Sequence, residues 1–301
     1  MMDPRRPFTT AQANAAGISR DVLASARYRR LFRGVHIRAG FEIDLRTWIA
    51  AASLLLPPDA AVSHTTAMRL YGFEPTAVHP LEFSTNTRHQ RRIPGIVLHR
   101  RLGSLHPRDV SGFPTLGPDR TFVDVAQRIS LPELVSFGDH LVHRQLTTPD
   151  DLRAYAETHH IDGVRRARRI APLVRAGAES PQETRVRLML RFGRLPEPEV
   201  NAEIRDADGA FIARGNLVYR AWKVVVEYDG FHHLRDRRTW QHDLRRRELL
   251  EAAGWIVIVI TAADLERPAS VPARAHDALT RRGYEGPAPV HSVLWQGWFA
   301  A

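Results

Sequence analysis

The sequence contains no cysteine. That absence excludes disulfides, cysteine-bound zinc and a thiol nucleophile together, and it fits a reducing compartment. Lysine is nearly missing as well: of 43 basic residues only Lys223 is lysine. Long apolar runs are lacking. The longest, Ile49 to Pro57 and Trp255 to Ile260, are too short to span a bilayer. Met1 to Thr10 is polar and basic and has no apolar centre of the kind a secretory signal carries. These readings lead us to expect a cytoplasmic protein with no membrane partner. A P-loop, a Gly-rich dinucleotide turn and a nucleophile elbow are absent too, and neither a repeat nor a low-complexity segment interrupts the chain.

The chain has 301 residues, 44% apolar and 25% charged. This is ordinary globular composition at a length where a single core tends to divide. The net charge is +10. A GC-rich genome accounts for arginine in place of lysine. The excess of positive charge, in clusters, points instead to nucleic acid, since the guanidinium fork suits phosphate and guanine.

Residues 8 to 38 read as a small DNA-binding unit. Thr9 and Thr10 can cap a helix ending at Gly17, and Ser19 can cap a second helix from Arg20 to about Tyr28. Two short helices around a glycine form a helix-turn-helix pattern, with Arg20 at the end that enters a groove. Arg29, Arg30 and Arg33 follow. Val35 and Ile37 then alternate with His36 and Arg38, as in the wing of a winged helix. Any small helical hairpin shares part of this pattern.

From Phe41 to about Ala176 the pattern alternates helices (45–55, 63–71, 118–126, 131–144, and one opening at Thr148-Pro149) with short strands at 81–84 and 96–99. Arg88 to Arg92 forms a basic turn. Four arginines between Val164 and Arg169 sit on one helix; a solvated face looks the same.

The third region carries the chemistry. Ser180-Pro181-Gln182-Glu183 opens a helix. Val200 to Arg205 and Ala210 to Tyr219 form a hairpin around Asp206-Ala207-Asp208-Gly209. The stretch W-K-V-V-V-E-Y-D-G-F-H-H at 222–233 then reads as a buried strand. On a strand Lys223, Val225, Glu227 and Asp229 share one face. Two buried carboxylates need a compensating cation or hydrogen bonds, and a divalent metal is the most economical one. A helix from Asp243 to Ala253 and a strand from Trp255 to Thr261 complete the order. The aromatic tail, Trp295 to Phe299, suits docking on a domain or a partner.

Five segments occur here in order: S-P-Q-E-T-R at 180–185, A-R-G-N-L at 213–217, V-V-V-E-Y-D-G-F-H-H at 224–233, Q-H-D-L-R-R at 241–246 and G-W-I-V at 254–257. As a set they resemble the PD-(D/E)XK, restriction-endonuclease-like superfamily, in particular its very-short-patch-repair-like branch. The resemblance implies a metal-dependent DNA endonuclease using Mg²⁺ or Mn²⁺. It places Glu227 as the second metal acid and Asn216 in the slot of the first, an aspartate in the family. Asn216 offers a neutral oxygen, so metal affinity should fall; Asp229, ~7 Å along the strand, could compensate. The family's lysine, two residues after the second acid, is absent; Asp229 stands there instead, and Lys223, four residues or ~13 Å along the strand from Glu227, is too far to replace it. In this branch a histidine moves the proton, which makes His232 and His233 candidates; two loop histidines would look alike. Glu183 matches the family's helical glutamate, but Ser180-x-x-Glu183 is equally a capping box. Gln241 and Asp243 match its next helix as supporting residues. Arg245 and Arg246 can contact phosphate.

The first two regions more loosely resemble the AbiEi-type antitoxins, on Phe8 to Ala16, Ile18 to Arg33, S-H-T-T-A at 63–67 and L-Y-G at 70–72. This implies operator binding and a cognate toxin as partner. The expectation is therefore a multi-domain α/β protein: a winged helix (1–40), a middle α/β domain (41–176) and a restriction-endonuclease-like mixed sheet flanked by helices (177–301). It is either a DNA endonuclease weakened at Asn216 or a catalytically silent regulator or antitoxin.

Overall fold

The computed structural model describes residues 3, 5–77, 79–88, 92–206, 208–230 and 237–300, the side chains of 237–243 excepted. The protein is mixed α/β, with three separate sheets among the described residues. It forms two compact units, Met1–Thr121 and Phe122–Ala301.

The first unit opens with β1 (Phe8–Thr9), α1 (Thr10–Ala15), α2 (Arg20–Ala24), β2 (Tyr28–Phe32) and β3 (Val35–Arg38). Thr9 and Gln12 form a capping box that starts α1, and Ser19 Oγ caps α2 by accepting from Val22 N at 3.3 Å. The second helix is shorter than the sequence pattern suggests. Ser25 Oγ donates to Val22 O at 2.7 Å and its backbone turns extended. Tyr28 is thereby free to enter β2 and pack edge-on against Phe8, ring centroids 5.8 Å apart. The strands form one antiparallel sheet in the order β1-β3-β2. The β2–β3 hairpin turns at Arg33 and Gly34, where φ is +82°, a conformation glycine adopts without steric penalty. Phe8, Ala13 and Leu23 make the small core.

The same unit continues with α3 (Leu45–Ser53), β4 (Ala61–Val62), α4 (His64–Leu70), β5 (Leu81–Thr85), β6 (Ile96–Arg100), β7 (Arg108–Val110) and β8 (Phe113–Thr115). A five-stranded sheet runs β6-β5-β4-β8-β7, with β5 and β6 parallel. Ser63 stands at the N-cap of α4 by position, but its hydroxyl caps no backbone N–H of the helix.

The unit boundary falls within α5 (Pro118–Val125). Next come α6 (Leu131–His143), α7 (Pro149–Thr158), α8 (Val164–Ile170) and α9 (Pro181–Phe192). Arg187 of α9 is fully buried; its guanidinium donates to Asp139 of α6 at 2.8 Å and to Leu173 O at 3.1 Å. Loss of one member of such a pair strands the other charge, so α6 and α9 are tied together. Then follow β9 (Glu199–Arg205), β10 (Phe211–Tyr219), β11 (Val224–Asp229), α10 (Arg237–Ala252), β12 (Ile256–Thr261), α11 (Ala262–Leu265), α12 (Ser270–Thr280) and α13 (Val293–Phe299). The sheet order is β12-β11-β10-β9. β9, β10 and β11 meander antiparallel. β12 returns parallel to β11, which requires a long connection, supplied by α10. The aromatic tail docks inside this unit: Trp295 is 1% exposed and donates its indole N–H to Met189 O at 3.1 Å.

Two features position the site. Lys223 does not belong to the strand, as the sequence run suggested; it sits at φ +49° after a tight turn and donates Nζ to Ala253 O at 3.2 Å. And β10 pairs with β11 only from Leu217↔Val226 to Tyr219↔Val224, so the two strands part at Asn216 and Glu227. Gly215, next to that parting, packs without room for a side chain: a Cβ there would lie 2.6 Å from Val225 Cγ2 and 2.8 Å from Val218 Cγ2. Gly215→Ala is expected to destabilise the second unit by about 1–3 kcal/mol through overpacking, measurable by urea unfolding.

Candidate functional site

Glu227 lies on β11 at the parting of the strands, its side chain 8% exposed. Burial pushes its pKa up, and the neighbouring Glu183 carboxylate adds to this; the Arg246 guanidinium and the backbone N–H of Asn216 oppose it, but burial prevails. Arg246, reaching over from α10, brings Nη2 to 3.5 Å from Oε1 of Glu227 and gives a second N–H to Arg214 O at 3.1 Å. At 3.5 Å the first contact is an ion pair rather than a hydrogen bond, and Oε1 has no hydrogen-bond partner.

The other donors of the expected set are brought near but are already engaged. Glu183 is the N3 residue of α9, and its backbone N–H bonds Ser180 Oγ at 3.2 Å. Its carboxylate accepts from Ser180 Oγ at 3.0 Å, from Glu179 N at 3.1 Å and from Asn201 Nδ2 at 3.0 Å. Ser180 therefore caps the helix, but the capping box is not closed: the Glu183 carboxylate takes the backbone N–H of Glu179, one residue before the N-cap. Asn216 Nδ2 donates to Asn201 Oδ1 at 3.2 Å, and Asn216 Oδ1 accepts from Tyr228 N at 3.0 Å. Asn201 thus links α9, β9 and β10 in one chain of amides and carboxylate. The sequence reading missed it; its signal was an asparagine on a strand opposite the A-R-G-N-L segment. Asp229 ends β11, half-buried and paired with Thr261. His232 and His233 lie outside the described residues. Gln241 and Asp243 fall on α10 with side chains outside the described set.

A divalent metal between Asn216, Glu227 and Asp229 needs several oxygens free to converge at 2.0–2.6 Å, to use the usual range for hard cations. Here one amide oxygen is directed at a backbone N–H, the Glu183 carboxylate already accepts three hydrogen bonds, and a guanidinium stands over Glu227. The donor set as arranged does not fit a two-carboxylate metal centre. It sets amide and guanidinium donors beside these carboxylates. Beside it opens a cleft of about 580 Å³ lined by Glu179, Asn201, Arg214, Asn216, Arg245 and Arg246, among others. Arg214 is ion-paired with Glu179, and Arg245 is exposed.

In the first unit Arg20 starts α2, Arg29 and Arg30 stand on β2, and Arg33 tips the hairpin; all four are exposed. Arg29 donates to Phe41 O at 3.0 Å. Arg30 joins burial in lowering the pKa of His36 across the hairpin. A second polar cluster in this unit went unread in the sequence. His64, at the start of α4, stacks on His99 of β6 with ring centroids 3.8 Å apart, and His99 Nε2 lies 3.1 Å from Glu82 Oε1 of β5. Glu82 is fully buried. Burial alone would raise its pKa, but the hydrogen bonds from His99 and from the Thr65 hydroxyl outweigh it and hold the carboxyl at about 2. The only sequence signal was S-H-T-T-A, whose partners lie on two strands further along.

No protein-family model matches the chain. The chain is 27% identical over 262 residues to the uncharacterised protein Rv2248 of Mycobacterium tuberculosis H37Rv, covering 85% of this chain and 94% of that protein. It is equally similar to uncharacterised MT2308 of strain CDC 1551. Neither name states an activity.

Because burial holds the pKa of Glu227 up, its ionised form costs folding energy at neutral pH, and that cost is relieved as pH falls through its folded-state pKa. Glu227→Gln should therefore melt at a higher temperature than wild type at pH 8, with the gap narrowing as pH falls towards 5, followed by differential scanning fluorimetry. A lower melting temperature for the variant at pH 8 contradicts this.

Proposed function

We propose that this chain is a DNA-binding regulator of the antitoxin-like kind, acting in the cytoplasm, whose nuclease-like sheet holds nucleic acid without cutting it. The observation that carries this reading is the engagement of the would-be metal ligands: Asn216 Oδ1 accepts from Tyr228 N at 3.0 Å, and Arg246 stands 3.5 Å from Glu227. An arginine in that position presents its remaining N–H groups to an anion, and phosphate suits a guanidinium. The net charge of +10 and the exposed Arg20, Arg30 and Arg33 support a sequence-tolerant grip on the DNA backbone. Among the described residues no helix is long and apolar enough to cross a membrane, in keeping with a partner in the aqueous phase.

A second reading, a metal-dependent endonuclease using Mg²⁺ or Mn²⁺, is favoured by one feature. Glu227 Oε1 is buried and lacks a hydrogen-bond partner, which is how a residual metal ligand would look.

Fluorescence anisotropy with duplex DNA, joined to a plasmid-nicking assay in Mg²⁺ and Mn²⁺, separates the two. Wild type is expected to bind with an affinity that falls as salt rises and to leave plasmid intact. Arg33→Ala and Arg245→Ala should each reduce the slope of log K against log salt by about 1, one phosphate contact apiece. Nicking that disappears in Glu227→Ala would establish the second reading instead. Absence of binding to either duplex or single-stranded DNA would sink both.

A further inference from the structure

The cluster around His64 is built at a cost that DNA binding does not explain. His64 has φ +51°, a left-handed conformation that is strained for a β-carbon-bearing residue and concentrates at functional positions. Its ring is 2% exposed and Glu82 is 0% exposed. The carboxylate is fixed from behind. Thr65 N and Thr65 Oγ1 donate to Glu82 Oε2 at 3.0 and 2.5 Å, and Thr66 Oγ1 accepts the backbone N–H of Glu82 at 2.8 Å. This leaves Oε1 as the oxygen turned towards His99. Supporting donors on one carboxylate oxygen, with the other aimed at a site, are the outer-shell pattern of a metal-binding carboxylate.

The front of the cluster has the spacing of a coordination sphere. One nitrogen each from His64 and His99 and one oxygen from Glu82 lie within 4.8 Å of one another. His99 Nε2 and Glu82 Oε1 are 3.1 Å apart. Two ligands that each sit about 2.1 Å from a zinc-class ion at 90–110° stand roughly 3.0–3.4 Å apart, so this contact can admit a cation in place of a proton with almost no movement. Two changes are needed. The His64 and His99 planes lie within 24° of each other, and stacked rings aim their lone pairs side by side, so His64 must turn off the stack. Arg101 Nη2, 3.1 Å from His64 Nε2, must withdraw. Since arginine can only donate, Nε2 is the unprotonated nitrogen and is already in its ligand form. Nδ1–H then donates to Ser63 Oγ at 2.9 Å, and Ser63 Oγ also accepts from Ser84 Oγ at 3.0 Å. That polarity rules out His64 as a base for Ser63, which removes the competing hydrolase reading.

We propose that His64, Glu82 and His99 form a binding site for a divalent transition metal of the zinc class, and that the Arg101 guanidinium is the cation the metal displaces. Two imidazoles and one carboxylate select Zn²⁺, Co²⁺ or Ni²⁺ over Mg²⁺. The site lies within the first unit and is independent of any reading of Glu227.

The test is titration of Co²⁺ into chelator-stripped full-length protein, followed by its visible absorption, with Zn²⁺ and Mg²⁺ as competitors. The chain has fifteen histidines, so the decisive quantity is the difference between variants. Wild type should bind one saturable equivalent that Zn²⁺ displaces and Mg²⁺ does not. His99→Ala and Glu82→Gln should each lose that equivalent, and Arg101→Ala should bind at least as tightly as wild type, up to tenfold tighter. If Glu82→Gln fails to fold by circular dichroism, His99→Ala and Arg101→Ala decide alone. No saturable equivalent, an equivalent that survives His99→Ala, or weaker binding in Arg101→Ala overturns the proposal.

Discussion

The carboxylate of Glu227 is buried where β10 and β11 part, with an Arg246 nitrogen 3.5 Å from it. A buried carboxylate is tolerable only when a cation, a proton or hydrogen bonds answer it. A bound metal is one such answer. Here the answer comes from a guanidinium on the neighbouring helix, at ion-pair range, with desolvation still prevailing over it. The arrangement around it follows from that. α10 is held over the sheet by Arg246, which also bonds Arg214 O. Asn216 turns its amide to the backbone of the departing strand, and Asn201 joins it to Glu183. The result is a wall of amides and arginines beside an open cleft.

Much of the architecture was legible in the sequence because it is written in local signals. Serine and threonine caps, the glycine turns and the alternation of Val35 to Arg38 specify α1, α2 and the hairpin without reference to distant residues. The meander of β9, β10 and β11 followed from turn residues and apolar periodicity. The errors lie where a local signal met a competing contact. α2 ends early because the Ser25 hydroxyl takes Val22 O and Tyr28 packs on Phe8. Lys223 leaves the strand because the chain has to reverse between Tyr219 and Val224.

The sites were less legible. The sequence located Glu227, Asn216 and Glu183 along the chain, but which partner each oxygen chooses depends on strands meeting in space. Asn201 and Arg246 acquire their roles only through that meeting. The His64, Glu82 and His99 cluster shows the same limit more sharply. Its three members are contributed by a helix start and two parallel strands, each ordinary alone. Only the register of β5 with β6, which sets Ser84 beside His99, brings them together.

The most direct test is a crystal of the protein grown or soaked with Mn²⁺ and examined by anomalous diffraction at the Glu227 carboxylate. The account predicts Arg246 at ion-pair distance from Glu227 and no manganese peak within coordination range of its oxygens. A peak there, ligated by Glu227 with Asn216 or Asp229 and with Arg246 swung away, would contradict it.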